Sequence, residues 1–338
     1  MPVKMLFVIG SPRSGTTMLE RILSSHSMIQ GGPEPHLLTP LAHLGYWAKV
    51  EKAPYDHILA AESQKVFVDA LPNKEQDYWD ACRAYCDTLY GRCLSTSGKS
   101  ICLDKTPAYA LILPFIAKVF PDAKYVVLTR HPLALFSSYA NSFFDGDYET
   151  ANNHNPILNR YVPALADFLR RPEPQHFHVR YEALVKDPES WMRRIYDYVG
   201  VPFEKDTIDY GKSAAEEQPR KGLGDPIGVK QHSRPSTASV KKWIEDLVGD
   251  PSRLKLMQRV ISQLDPMDLE TLGYPLETLW KPIEEAQGKA ISPAKPKLTR
   301  YRIERKLIIA MRRRAQTGAR FRKLLEKTRL ACDVLLRE

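Results

Sequence analysis

The chain has 338 residues, 43% of them hydrophobic and 26% charged, enough for one substantial core and, as read here, one large domain followed by a tail. The formal charge of +9 is uneven: Lys297 to Glu338 hold fourteen Lys/Arg against four Asp/Glu, which leaves 35 basic and 36 acidic residues before them. This excludes bulk charge as the basis of any anion site in the main domain, which must rest on a few placed residues.

The sequence has no run of about 18 apolar residues, as a membrane-spanning helix would need. The N-terminus enters a strand-like run without a charged segment, an apolar core and a small-residue cleavage site, which predicts a soluble chain without a secretory signal. Cys82, Cys86, Cys93, Cys102 and Cys332 are odd in number and form no CxxC pair, so a reduced, cytoplasmic compartment is expected. Cys82 and Cys86 are one helical turn apart but lack a His or third Cys at ligand spacing, so they read as buried thiols and no metal is expected.

In chain order, a strand Val3 to Ile9 leads into a helix from about Gly15 to Ser25; Ser100 to Asp104 leads into Ala110 to Phe120; Lys124 to Thr129 leads into Leu133 to Asn141. Strands followed by helices at this spacing predict βαβ units, hence an α/β fold with a parallel sheet flanked by helices. The runs FVI and YVVL are continuously apolar, as strands covered on both faces require. Phe144 to Asn159 turns polar and predicts a solvent-facing loop. A strand His176 to Arg180 and a helix Trp191 to Val199 follow, the helix stopped by Gly200 with Pro202 beyond. Gln218 to Ser239 is rich in Gly and Pro without periodicity, the pattern of a functional loop or a plain mobile one.

The domain is predicted to span residues 1–290, with a Pro-rich linker at Ile291 to Lys297 and a basic helical tail over 298–338. Tyr301 to Met311 and Phe321 to Leu336 have apolar residues at helical spacing with Lys/Arg between them. They read either as a solvated hairpin packing back on the domain or as a surface for anionic membrane or a partner protein. Nucleic acid is not expected, because the tail lacks a stacking pattern or reader motif.

The most informative stretch is FVIGSPRSGTTMLERIL, Phe7 to Leu23, a buried strand running through a short turn into a helix. Gly10 and Gly15 permit the tight backbone, and the amides of Ser14, Gly15, Thr16 and Thr17 converge at a helix N-terminus that favours negative charge. The spacing nearly matches the Walker A loop, but Thr16 stands where its Lys would be and the cation is Arg13, inside the turn. That disfavours ATP or GTP hydrolysis. A small-molecule kinase with a degenerate loop stays open, as does a non-enzymatic nucleotide fold recruited by its tail.

PRSGTT after a strand resembles the 5′-phosphosulfate loop of the PAPS-dependent sulfotransferases, in particular their tyrosyl-protein and carbohydrate branches. The resemblance implies a fold related to the nucleotide kinases, PAPS as co-substrate and transfer to a hydroxyl-bearing acceptor, with a glycan or other bulky hydroxyl favoured. YVVLTRHPLALFSSY supplies Arg130 and, eight positions on, Ser138, similar to the family's 3′-phosphate pair. CLDKTPAY resembles its lysine-bearing segment and implies a role for Lys105. VRYEALVKDPESWMRRIYDYVGVPF resembles the family's RYE helix. The stretch ending in VKKW sits where the family closes a lid over the donor, with Lys230, Ser233 and Arg234 as candidates.

Sulfuryl transfer needs a base for the acceptor hydroxyl, cations on the sulfonate and leaving phosphate, and exclusion of water. Arg13 and Lys105 are the candidate cations. For the base, GGPEPHLLTP resembles the family segment with an acidic base and places Glu34 there, fixed between two prolines where burial would raise its pKa; His36 is the alternative. His131, where the family often has an acid, reads either as a nucleotide stack or as packing. Tyr46, Trp47, Tyr78, Trp79, Tyr85 and Tyr90 fall where acceptor-binding elements are inserted in such folds, while Trp79 with Cys82 and Cys86 reads as core.

Overall fold

The computed structural model describes residues 3–32, 34–43, 47, 57–211 and 233–286, with isolated positions in the tail. The predicted linker, most of the tail, Tyr46 and Lys230 lie outside the described residues. The elements run β1 (Met5–Ile9), α1 (Thr16–Ser24), β2 (Ile29–Gln30), α2 (Leu38–Ala42), α3 (His57–Asp69), α4 (Glu75–Ser97) and β3 (Ile101–Asp104). After a 3-10 turn at Pro107–Leu111 come α5 (Leu113–Val119), β4 (Lys124–Thr129), α6 (Pro132–Phe144), α7 (Tyr148–His154), α8 (Ile157–Arg170), β5 (His176–Arg180), α9 (Tyr181–Lys186) and α10 (Pro188–Val199). Short helices, among them Lys242–Val248 and Pro251–Ile261, complete the described domain.

Five parallel strands form one sheet in the order β2-β3-β1-β4-β5. β1 lies at the centre, with Phe7 paired to Asp104 on one side and Tyr125 on the other. Every residue of β1 is buried, which explains its unbroken apolar run. Alternation sends Met5, Phe7 and Ile9 into a core with residues of α4, α5, α6 and α8, and Leu6 and Val8 into a second core with α1 and α10. Each such side chain contributes about 1.5–3 kcal/mol by leaving water. Because all strands are parallel, their carboxyl ends open on one edge, and the segments after β1, β2, β3, β4 and β5 meet there.

One expectation is overturned. The polar stretch from Phe144 to Asn159 is not a solvent-facing loop: it contains α7 and the start of α8, with Tyr148, Ala151, Ile157 and Leu158 all buried. Asp147 caps α7 by accepting the Thr150 amide at 2.9 Å, and Tyr148 packs on Phe136 with ring centroids 5.4 Å apart. Composition hid a capping residue followed by a short buried face. The helix expected over Ala110 to Phe120 is likewise interrupted at Ile112, where Pro114 starts α5 afresh at its first turn.

Candidate active site

The chain leaves β1 and must turn at once into α1. A Cβ at Gly10 would lie 2.6 Å from Ser14 Oγ and 2.7 Å from the Leu128 carbonyl oxygen, so the turn closes only on glycine. Gly15 is the N-cap of α1 at φ +98°, and a Cβ there would lie 2.6 Å from the Tyr181 ring. Arg13 itself is left-handed at φ 71°. No side chain caps α1, which leaves the first-turn amides and the helix dipole directed at the turn. The Ser14 hydroxyl is fully buried and has no hydrogen-bond partner among the described residues. A bound anion would satisfy it.

Arg130 follows β4 and reaches the same turn. Its Nη1 donates to the Arg13 carbonyl at 2.9 Å, its Nη2 to the Ser239 carbonyl at 3.3 Å, and its guanidinium lies 4.7 Å over the Tyr181 ring. Burial pushes its pKa below the usual value, a cost a bound phosphate would offset. Arg130 Nε is buried without a partner among the described residues. Arg13 Nε donates to Ser138 Oγ at 3.2 Å, so the turn, Arg130 and the serine of α6 form one cluster. Glu182 sets the backbone beside it: one carboxylate oxygen accepts the His131 amide at 3.0 Å, the other the Tyr274 hydroxyl at 2.6 Å. His131 stacks on Trp243, with centroids 4.5 Å apart and planes at 24°, which makes it a packing residue.

The second cluster lies after β2 and β3. Lys105, 2% exposed, ion-pairs with Glu34 and comes within 3.4 Å of Thr17 Oγ1 on α1. His36, 45% exposed, lies 3.6 Å from the other Glu34 oxygen. A buried ammonium needs such a partner. Asp104, one residue earlier and 1% exposed, points to the opposite face and accepts hydrogen bonds from Tyr90 (2.5 Å), Tyr109 (3.0 Å) and Thr106 (3.1 Å). Burial raises its pKa to about 6 against the pull of those donors.

A profile described as the sulfotransferase family matches residues 6–205, more than half of the chain. The chain belongs to the sulfotransferase family. The nodulation protein NoeE of Sinorhizobium fredii is 26% identical over 295 residues, covering 79% of this chain and 65% of that protein. A protein-tyrosine sulfotransferase of Drosophila melanogaster is 23% identical over 281 residues, covering 80% of this chain and 51% of that protein. The chain therefore spans between half and two thirds of the length of these relatives. Among solved structures, the sulfotransferase domain from the curacin biosynthetic pathway aligns with a TM-score of 0.52 at 23% identity, covering 81% of this chain and 99% of that one. The sulfotransferase domain of the Synechococcus PCC 7002 olefin synthase aligns with a TM-score of 0.52 at 24% identity, covering 78% and 96%. These likenesses show the fold, a parallel sheet flanked by helices.

In this member of the sulfotransferase family, Arg13, Arg130 and Ser138 meet in one cluster and Glu34, His36, Lys105 and Thr17 in another, and both include residues of the β1–α1 turn and helix. Ser233 instead accepts the Gly211 amide through its carbonyl, and Arg234 faces Asp209 at 3.5 Å. Among the described residues of that segment, Ser239 touches Arg130, and it also hydrogen-bonds Tyr181 through its hydroxyl at 2.9 Å. Sequence reading missed Tyr181, Glu182, Ser239, Asp104 and Tyr109 as site builders. Tyr181 and Glu182 were legible in principle, since both lie in the RYE stretch directly after β5.

Proposed function

We propose that this chain transfers the sulfuryl group of PAPS to the hydroxyl of a bulky acceptor, a glycan or comparable compound, and releases 3′,5′-ADP. The turn Gly10–Thr17 holds the 5′-phosphosulfate through helix amides, the Ser14 hydroxyl and Arg13; Arg130 and Ser138 hold the 3′-phosphate. Glu34 takes the acceptor proton as the acceptor oxygen forms its bond to sulfur. The bond between sulfur and the bridging oxygen breaks, and its electron pair stays on the 5′-phosphate, where Lys105, Arg13 and the amides stabilise the growing charge. The proton leaves Glu34 for solvent by way of the exposed His36. The charges come from side chains and backbone, and no metal is invoked.

The observation that carries this reading is Lys105, which contacts both Glu34 and Thr17 and so ties a carboxylate base to the anion-binding helix. The bulky acceptor is supported by exposure beside the base: His36, 3.6 Å from Glu34, is 45% exposed. The test is calorimetric titration of 3′,5′-ADP into wild type and Arg130→Ala, first without metal and then with magnesium. Metal-independent binding that the variant loses is expected; no binding by folded wild type would overturn the donor assignment. Labelled PAPS offered with oligosaccharides, a tyrosine peptide and simple phenols then reads the acceptor, and product from the phenols alone would overturn a bulky one.

Cytoplasmic residence is part of the same proposal, supported by the free thiols Cys82, Cys86, Cys93 and Cys102. No helix among the described residues is long and apolar enough to cross a membrane. The basic tail is proposed to add a salt-sensitive contact with anionic lipid or a partner. Vesicle binding unchanged on deleting residues 297–338 would remove that role.

A further inference from the structure

The Glu34 segment is tied down at a second point that the transfer chemistry does not use. Leu38 begins α2, a helix of five residues with no side-chain cap. Its amide belongs to the first turn and has no partner within the helix. That amide instead donates to the Tyr109 hydroxyl at 3.0 Å, across 71 positions of sequence. Tyr109 is fully buried, and its own proton goes to Asp104 at 3.0 Å. Tyr90 of α4 and Thr106 occupy the rest of that carboxylate, so the Tyr109 hydroxyl is oriented with its lone pair toward Leu38.

We propose that Tyr109, oriented by Asp104, is a positioning residue that holds the segment carrying Glu34 against the donor site. The inference rests on Glu34 being the base. In the resting site Glu34 is also held by Lys105. During transfer Lys105 turns its charge to the sulfonate and leaving phosphate, and the contact with Glu34 is weakened when it matters most. The Leu38 to Tyr109 to Asp104 chain lies on the other face of β3 and is untouched by that change. It fixes the chain four residues beyond Glu34 and two beyond His36, whose φ of 52° already marks a constrained turn.

The test compares Tyr109→Phe with Tyr90→Phe in the full chain. Both remove one hydrogen bond from the same buried carboxylate, but only the first cuts the link to Leu38. The rate is read as labelled sulfate released from PAPS with water as acceptor, which needs no identified substrate. For Tyr109→Phe the rate is expected to fall about tenfold, as misplacement of a reacting group does. The affinity for 3′,5′-ADP should stay within about twofold, and hydrogen exchange at the Leu38 amide should quicken about tenfold or more, since the amide loses its tyrosine acceptor. Tyr90→Phe should leave both the rate and the Leu38 exchange near wild type. Equal loss of rate in both variants would mean general destabilisation and overturn the proposal, as would a Tyr109→Phe enzyme at full rate. Glu34→Gln separates the two readings: full rate in that variant sinks the base assignment, whereas unchanged Leu38 exchange in Tyr109→Phe sinks the positioning link itself.

Discussion

The two halves of the proposed site, donor and acceptor, are built by different means. On the donor side, one continuous turn from Gly10 to Thr17 makes the cradle from main chain and glycine geometry, and Arg130 docks onto the carbonyl of Arg13 within it. On the acceptor side nothing is continuous: Glu34 and Lys105 are brought together from segments 71 positions apart, and the buried Asp104, through Tyr109, holds the Leu38 amide of the Glu34 segment from behind. A cradle of amides is fixed once the turn folds, whereas an ion pair with a base must be held by tertiary packing. Substitutions should therefore divide into those that weaken donor binding and those that slow the chemistry.

The largest effect is expected on the acceptor side. Lys105→Ala removes a cation from the leaving phosphate and takes the ammonium from Glu34, and the transfer rate should fall about 10²–10³-fold, the range seen when one transition-state donor is lost. Single-turnover kinetics with labelled PAPS would measure this, with 3′,5′-ADP affinity changed far less. A comparable loss of affinity would erase the division between the halves.

The donor side should show the reverse pattern. Arg130→Ala deletes a half-buried guanidinium that faces the turn with an unpartnered Nε, and 3′,5′-ADP should bind about 10–10²-fold more weakly, the scale of a charged hydrogen bond. Gly15→Ala attacks the same side through the backbone: at φ +98° and with its Cβ 2.6 Å from Tyr181, it should cost about 1–3 kcal/mol in thermal or denaturant unfolding and loosen donor binding with it. If Gly15→Ala bound 3′,5′-ADP as wild type does, the turn would not be the cradle described.

The contrast also explains what could be read from the sequence. β1, the turn and α1 are adjacent in the chain, and glycine, hydroxyl and arginine at fixed spacing carry their geometry in the string itself. Arg130 and Ser138 were legible because β4 and α6 are likewise consecutive. Glu34 and Lys105 could be named only separately; that they touch depends on β3 lying beside both β1 and β2, and β2 is a two-residue strand with no pattern to detect. Asp104 looked like the end of a strand, and only the structure shows Tyr90 arriving from α4 and Tyr109 from the following turn. The error at Phe144 to Asn159 has the same origin, since a polar string was judged without its partner surface on α6. Ser239 touches Arg130 from a stretch without periodicity, where sequence offered Ser233 and Arg234 instead.

The smallest expected effect is also the most direct test that the halves differ, because each buries a titratable group of opposite character. Asp104 on the acceptor side is raised by burial from 3.8 to about 6. Its folded form holds a proton more tightly than the unfolded chain, so its contribution to stability is complete below 3.8 and is lost as pH rises through about 6. His131 on the donor side is pushed down by burial from 6.5 to about 4, and His178, behind Thr129, moves the same way. Their contribution is complete above 6.5 and is lost as pH falls toward 4. Relative to wild type, Asp104→Asn should therefore gain in melting temperature as pH rises from about 4 to 6 and then level off, since its amide keeps the acceptor for the tyrosines without a charge to bury. His131→Phe, which preserves the stack on Trp243, should gain as pH falls from 6.5 toward 4. Melting curves of the three proteins across that range decide it: opposite slopes place a buried acid behind the base and a neutral imidazole behind the donor arginine, and parallel curves would show that neither group is buried as described.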